Sequence, residues 1–486
     1  MRRRMTAGAL VFAAAAVLPA VRSAEKPHQQ VLTLHYTPQD KAAGRYQYVP
    51  FDVPRGTKQL TFAYKYDKAN DTNAVDIGLF EPGPLDLGSP AFRGWSGGDR
   101  AGATIGETEA TPGYWPGRLP PGRWNLILGL YKVGAPGVDV EITIETTGGA
   151  RAPAPAVVLP PRPAEPLRRE ARWYSGGLHM HTVHSDGTLD VAGLSRLAKD
   201  AGLEFIAITD HNNTTHQLER VPEDGLLRIV GEEVTTPGGH ASVWGLGGVR
   251  DFVDFRVLPG DPRIADLVRA ATARGALFSI NHPSASCAGC GWEHAVPEGV
   301  TGIEISNGNH GEMARAIAMW DDLLKQGRRI VAVGSSDWHR GPRTVDVASV
   351  RVLATELSTA AILDGIRRGH VVVMADGRTP PPLVVARSRR NQAGIGDVLR
   401  IRPETPVWVE VSLPSGLTGG KVDLVANGEV VDSQPAAEHV QFVRPPGQEG
   451  YLRVHVFAAD GAPRAVTNPI FIQPLRVSPA ARSGTR

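Results

Sequence analysis

Six histidines and three carboxylates in the middle of the chain have the types and spacing of a multi-metal site: His179, His181, Asp186, His211, Glu233, His240, His282, Asp337 and His339. His179 and His181 are one residue apart, and so are Asp337 and His339. In an extended segment residues i and i+2 point to the same side, so each pair can grip one ion. The set offers nitrogen and oxygen and no thiolate, which suits zinc, manganese or iron. Nine ligands exceed what one ion takes, so the pattern calls for two or three divalent ions with bridging carboxylates. A buried imidazole needs hydrogen-bond partners, so histidines recurring at successive strand ends are hard to assign to packing alone.

The elements that must position these groups can be read around them. FIAIT (205–209), LLRIV (226–230), ALFSI (276–280), GIEIS (302–306) and RIVAVG (329–334) have the length of buried strands, and each ends near a polar cluster. Between several of them run helical patterns: VAGLSRLAKDAG, RIADLVRAATARG and HGEMARAIAMWDDLLKQG. Alternating strands and helices over 171–378 predict a mainly parallel sheet, open or closed. In a β/α barrel the C-terminal tips of the strands carry the chemistry. Asp210 and Glu304 also stand at such tips and are candidates to orient histidines through their second ring nitrogen. Glu232 precedes Glu233 and on a strand would point the other way. His184 and Arg340 are the candidate catalytic residues, placed to reach a leaving group or an anionic oxygen. Trp244 and Trp338 are candidates for the pocket wall.

The flanks differ in rhythm. Residues 24–149 alternate with period two between Pro/Gly turns, as in QLTFAYKY, WNLILGLYKV and DVEITIETT, and predict a β-sandwich. Trp95, Tyr114, Trp115 and Trp124 there are expected in packing, with a carbohydrate platform as the alternative. Residues 150–170 form a Pro/Ala-rich linker. Residues 379–475 return to strand patterns, with a hairpin signal at Asn427-Gly428, and predict a C-terminal β-sandwich. Residues 476–486 are expected to be a disordered tail.

Hydrophobic content of 42% with 21% charged residues gives ample core for a multidomain globular chain. Residues 1–23 read as a signal peptide, with Arg2 to Arg4, an apolar run from Ala7 to Ala20, and small residues at the cleavage positions. Removing its four arginines takes the formal charge from +2 to −2, so nothing suggests a grip on nucleic acid. Periplasmic or secreted localisation is expected, with no membrane span after signal removal. Cys287 and Cys290, the two cysteines of the chain, are expected to form a local disulfide in such a compartment.

LHMHTVHSDG, AITDHNN, GEEVTT with a following GGH, NHP and GSSDWH resemble, in order, the motifs of the polymerase and histidinol phosphatase (PHP) superfamily. The N-terminal sandwich, the export signal and GEEVTTPGGHASVWGLG look most like its carbaryl-hydrolase-type metallohydrolases. The resemblance covers about 200 residues. It implies a distorted (β/α)7 barrel, here flanked by two all-β sandwiches, with His179, His181 and Asp337 on a first ion and His240 and His282 on a second. It further implies Asp186, His211 and His339 on a third, with Glu233 bridging. A metal-bridging hydroxide at such a centre suits a phosphoesterase acting on a small-molecule ester. The alternative is an aryl carbamate or carboxylic ester hydrolase on the same centre, since only Arg340 and Arg343 stand near it to hold a phosphate. A non-catalytic envelope or glycan-binding protein is the reading from outside the enzymes.

Overall fold

The computed structural model describes residues 28–148, 156–161, 166–287, 289–447 and 449–475. The expected signal peptide, part of the linker and the C-terminal tail lie outside the described residues. None of the described helices is long and apolar enough to cross a membrane.

Period-two sequences build the N-terminal unit, because alternate side chains must face a partner sheet. One four-stranded antiparallel sheet runs in the order His28–Tyr36, Val138–Gly148, Thr57–Tyr66, Gly102–Gly106. The other runs Tyr46–Val53, Gly122–Lys132, Ala74–Phe80, Phe92–Gly97. Along Val138–Gly148 the buried Val138, Val140, Ile142 and Ile144 alternate with outward polar residues. They meet Leu126 and Leu128 of the facing sheet. Trp95, Tyr114, Trp115 and Trp124 are each no more than 5% exposed, which leaves them no face for a carbohydrate platform.

The apolar runs of the middle region become the strands Arg172–Gly177, Phe205–Ile208, Leu227–Thr236, Leu277–Ile280, Val300–Ser306 and Val331–Gly334. The helices Val191–Asp200, Ile264–Ala273 and His310–Lys325 occupy the periodic stretches. Asp190 caps the first through Gly193 N–H, and Asn309 caps the last through Gly311 N–H. The fold is multidomain and mostly β, and the distorted (β/α)7 barrel expected from the sequence is not what the topology gives. Pro237-Gly238 turns the chain into a hairpin, so Gly239–Trp244 is antiparallel to both its neighbours. Ser349–Ala354 likewise runs antiparallel to Arg172–Gly177. No helix fits inside a two-residue turn, so the β/α alternation breaks there. The curved sheet is drawn together at one end by loop bonds: Met180 bridges Trp338, and Ser335 Oγ accepts from the N–H groups of Leu178 and His179.

On its other side the same sheet continues into the C-terminal unit, where Val371–Met374 pairs with Pro463–Thr467. A separate four-stranded sheet closes that unit over a core of Val409, Phe442, Leu424 and Val454. The N-terminal sandwich shares its core with the middle region as well. Phe92 stacks on Phe252 at 4.5 Å, and Trp95 packs on Phe255 at 4.7 Å. Burying such rings stabilises the junction by roughly 1.5–3 kcal/mol each. Arg256 donates to Leu85 O and Asp86 O, Arg250 pairs with Glu81, and Arg100 donates to Val183 O.

Candidate metal centre

The bonds that gather the strand ends also gather the polar side chains. Asp337 N–H donates to His179 O at 3.1 Å and His181 N–H to Trp338 O at 2.9 Å, which sets the two i, i+2 pairs side by side. Asn212 N–H donates to Glu233 O and Glu233 N–H to Asp210 O, which brings His211 against Glu233. Asn281 N–H donates to His240 O, which brings in His282. His282 and Asp337 hold φ of +22° and +49°, in the left-handed region. Strained backbone of this kind persists where the surroundings over-determine it, as they do at a site.

Glu233 lies at the middle of the result. Its Oε1 is 3.1 Å from His179 Nε2, 3.3 Å from His240 Nδ1 and 3.2 Å from His282 Nε2. Its Oε2 is 2.9 Å from His211 Nδ1 and 3.5 Å from His181 Nε2. Asp337 Oδ1 is 3.2 Å from His179 Nε2 and 3.1 Å from His181 Nε2. Asp186 Oδ1 is 3.3 Å from His339 Nε2 and 3.6 Å from His211 Nε2. Two ligands about 2.1 Å from one tetrahedral ion stand about 3.4 Å apart, which is the spacing seen here. Three groupings can each hold an ion: His179, His181, Glu233 and Asp337; His181, Asp186, His211 and His339; and His211, Glu233 and His240.

Four of the imidazoles have the Nδ1 side occupied. Glu304 Oε2 faces His179 Nδ1 at 3.0 Å, and Asp337 O faces His339 Nδ1 at 3.0 Å. Ser185 gives its hydroxyl hydrogen to Asp210, so it accepts from His181 Nδ1 at 3.3 Å. Thr235 Oγ1 donates to Glu233 O, so it accepts from His211 Nδ1 at 2.5 Å. A proton held on Nδ1 leaves the Nε2 lone pair free, and each of these Nε2 atoms faces carboxylate oxygen. Two acceptors at van der Waals separation repel unless a cation lies between them. Glu233 Oε2, Asp186 Oδ1 and His240 Nδ1 are buried without a well-aligned hydrogen-bond partner, which fits metal ligation.

Electrostatics of the metal-free cluster run the same way. Burial works to raise Glu233, yet His179, His211 and His240 hold it well below the usual carboxylate range. Asp337 is held down against burial by His179, His181 and His339. Burial works to lower His211, yet Asp186 and Glu233 push it up to about 10. Burial, with His339 and His211, lowers His181 to about 4.

Some expected residues stand elsewhere. Both ring nitrogens of His184 are engaged, by Thr215 at 2.8 Å and Glu219 at 2.9 Å, so it has none free for a leaving group. Arg340 is exposed and donates to Asp186 O. Trp244 is buried, with its indole N–H on Leu178 O, and Trp338 is buried with its own on Arg343 O, so both are core. Glu232 points away and accepts from Val253 N–H. Asp210 reaches His181 through Ser185, not directly. Asn281, missed from the sequence, donates from Nδ2 to Glu233 Oε1 at 2.8 Å. Its place before His282 in NHP was the available signal. Cys287 and Cys290 form a disulfide in the loop after His282.

A cavity of about 320 Å³ opens beside the cluster, with Asp186, His211 and His240 on one wall and Arg45, Asp76 and Trp95 of the N-terminal sandwich on another.

No protein-family model and no curated protein matches the chain. Among solved structures, it is similar to a two-domain protein of Bacteroides vulgatus described as containing a predicted PHP-like metal-dependent phosphoesterase. Identity there is 18% and the TM-score 0.35, covering 66% of this chain and 100% of that one. It is also similar to PsfC of Pseudomonas syringae, at 13% identity and TM-score 0.28, over 37% and 82% of the two chains. A third is an amidohydrolase of Chromobacterium violaceum, at 17% identity and TM-score 0.24, over 35% and 89%. Likenesses this slight do not assign a family.

Proposed function

We propose that the chain is an exported multi-metal hydrolase of the PHP type, built on a distorted relative of the β/α barrel, and that it acts as a phosphoesterase. The observation that carries the reading is the set of Nε2 atoms, freed by Nδ1 partners, converging on Glu233, Asp337 and Asp186 at ligand-to-ligand spacing. Divalent ions bound there would supply a water acidified towards neutrality and a positive field for the oxygens of an ester. The chain's own residues prepare that chemistry. Glu304, Ser185, Thr235 and Asp337 O fix the tautomers. Asn281 holds the Glu233 carboxylate in place, and the sandwich supplies one wall of the cavity. The disulfide supports the exported compartment. Metal analysis of the purified protein, with chelation and restoration of aryl phosphate hydrolysis, tests the reading. Protein that holds no zinc, manganese or iron and hydrolyses no ester would end it.

A second reading is an aryl carbamate or carboxylic ester hydrolase. It is favoured by the middle region's own wall of the cavity, where the lining residues include no arginine or lysine. Side-by-side turnover of aryl phosphates and aryl carbamates separates the two. Turnover of the carbamates alone reverses the order.

A further inference from the structure

Among the described residues, the middle region's own wall of the cavity carries no arginine or lysine, but the facing wall does. That wall comes from the N-terminal sandwich, and Arg45 stands there, partly buried. The Arg45 guanidinium lies over the Tyr131 ring at 5.2 Å. A cation–π contact of this kind helps hold the guanidinium in place without using its N–H donors. Asp76 lines the same wall, within electrostatic reach of both Arg45 and His211, so the cation and the ligand cluster face one small space. The wall is fixed in place, because the sandwich shares a core with the middle region through Phe92, Trp95, Phe252 and Phe255. At about 320 Å³ the space is at the lower end for small-molecule sites. Tyr46 and Tyr131 line it as well and give it aromatic sides that suit a planar leaving group.

We propose that the N-terminal sandwich supplies the substrate-recognition wall of the metal centre, with Arg45 binding a peripheral phosphoryl oxygen of a small aryl phosphate monoester. The inference rests on the phosphoesterase reading. Arg45 binds substrate and takes no part in holding the ions.

Phenylphosphonate, which cannot be hydrolysed, is titrated calorimetrically into the metal-loaded full chain, wild type, Arg45→Met and Arg45→Lys. In parallel, kcat and KM are measured for p-nitrophenyl phosphate and for the neutral p-nitrophenyl acetate. Loss of a charge-assisted contact predicts phenylphosphonate binding weakened about ten- to hundredfold in Arg45→Met. KM for the phosphate should rise in step and by more than KM for the acetate, with bound metal unchanged, and Arg45→Lys should recover part of the affinity. If the wild type hydrolyses the phosphate but Arg45→Met binds phenylphosphonate within about twofold of it, the inference falls and the phosphoesterase reading stands. If the metal-loaded wild type neither binds phenylphosphonate nor hydrolyses the phosphate, both fall together.

Discussion

Replacing Glu304 by Gln removes one negative charge from a position 3.0 Å from His179 Nδ1 while keeping the side chain's shape. Glu304 is 2% exposed and also accepts from His282 N–H, so no water can take its place without rearrangement. A hydrogen bond to a charged group contributes about 1.5–3 kcal/mol, which corresponds to about 10–150-fold in a binding constant. Partners behind metal-bound histidines characteristically contribute about 10–100-fold in affinity, so the two routes agree. Glu304→Gln should therefore weaken the ion held through His179 by about 10–100-fold. The ion held by Asp186, His211 and His339 should be unchanged, because Thr235 and Asp337 O orient those rings independently. Competition against a chelating dye, titrated ion by ion, gives both constants. Equal affinities in variant and wild type would refute the claim that the Nδ1 partner sets the ligand.

In the metal-free protein His179, His282 and His339 are raised by their carboxylates against burial, and His211 stands at about 10. Groups raised on folding stabilise fully below their unfolded value, about 6.5, and lose that contribution as pH rises through the folded one. Denaturant titrations should show metal-free protein losing stability between about pH 6.5 and 10, and metal-loaded protein much less; parallel curves would contradict this. His184→Gln should lower stability by about 1–3 kcal/mol through its two lost buried hydrogen bonds while leaving bound metal and kcat unchanged; the reverse pattern would restore it as a catalytic group. Cys287→Ser with Cys290→Ser opens a very short loop, so the chain-entropy contribution lost is about 2 kcal/mol. Metal content should survive that change, and its loss would show that the disulfide holds the His282 loop.

The clustering of the nine residues was legible because chemistry constrains them twice, by residue type and by spacing. An i, i+2 histidine pair at the end of an apolar run has few other uses. Glu304 was legible for the same reason, and the structure sets it directly behind His179. Trp244 and Trp338 were not, because an indole beside a ligand in sequence can turn into the core as easily as into a pocket. His184 shared the motif's wording but not its direction, and only the position of Glu219, far along the chain, decides that. The distorted (β/α)7 barrel failed at Pro237-Gly238, where a turn signal plainly present in the sequence sits between two runs that read as strand tip and loop. Arg45 was invisible for a different reason: its place in the cavity depends on how two units dock, and no local pattern encodes that.

The aromatic core shared by the sandwich and the middle region has a consequence for descent as well as for stability. Segments joined by a linker are usually free to be exchanged between genes, because each brings its own interior. Here a recombinant that replaced residues 28–148 would lose Phe92, Trp95 and the cavity wall with Arg45 in a single event. The sandwich and the middle region are therefore expected to have been inherited as one unit. Changes at Phe92 or Trp95 should be matched by changes at Phe252 or Phe255 wherever relatives of this chain are found.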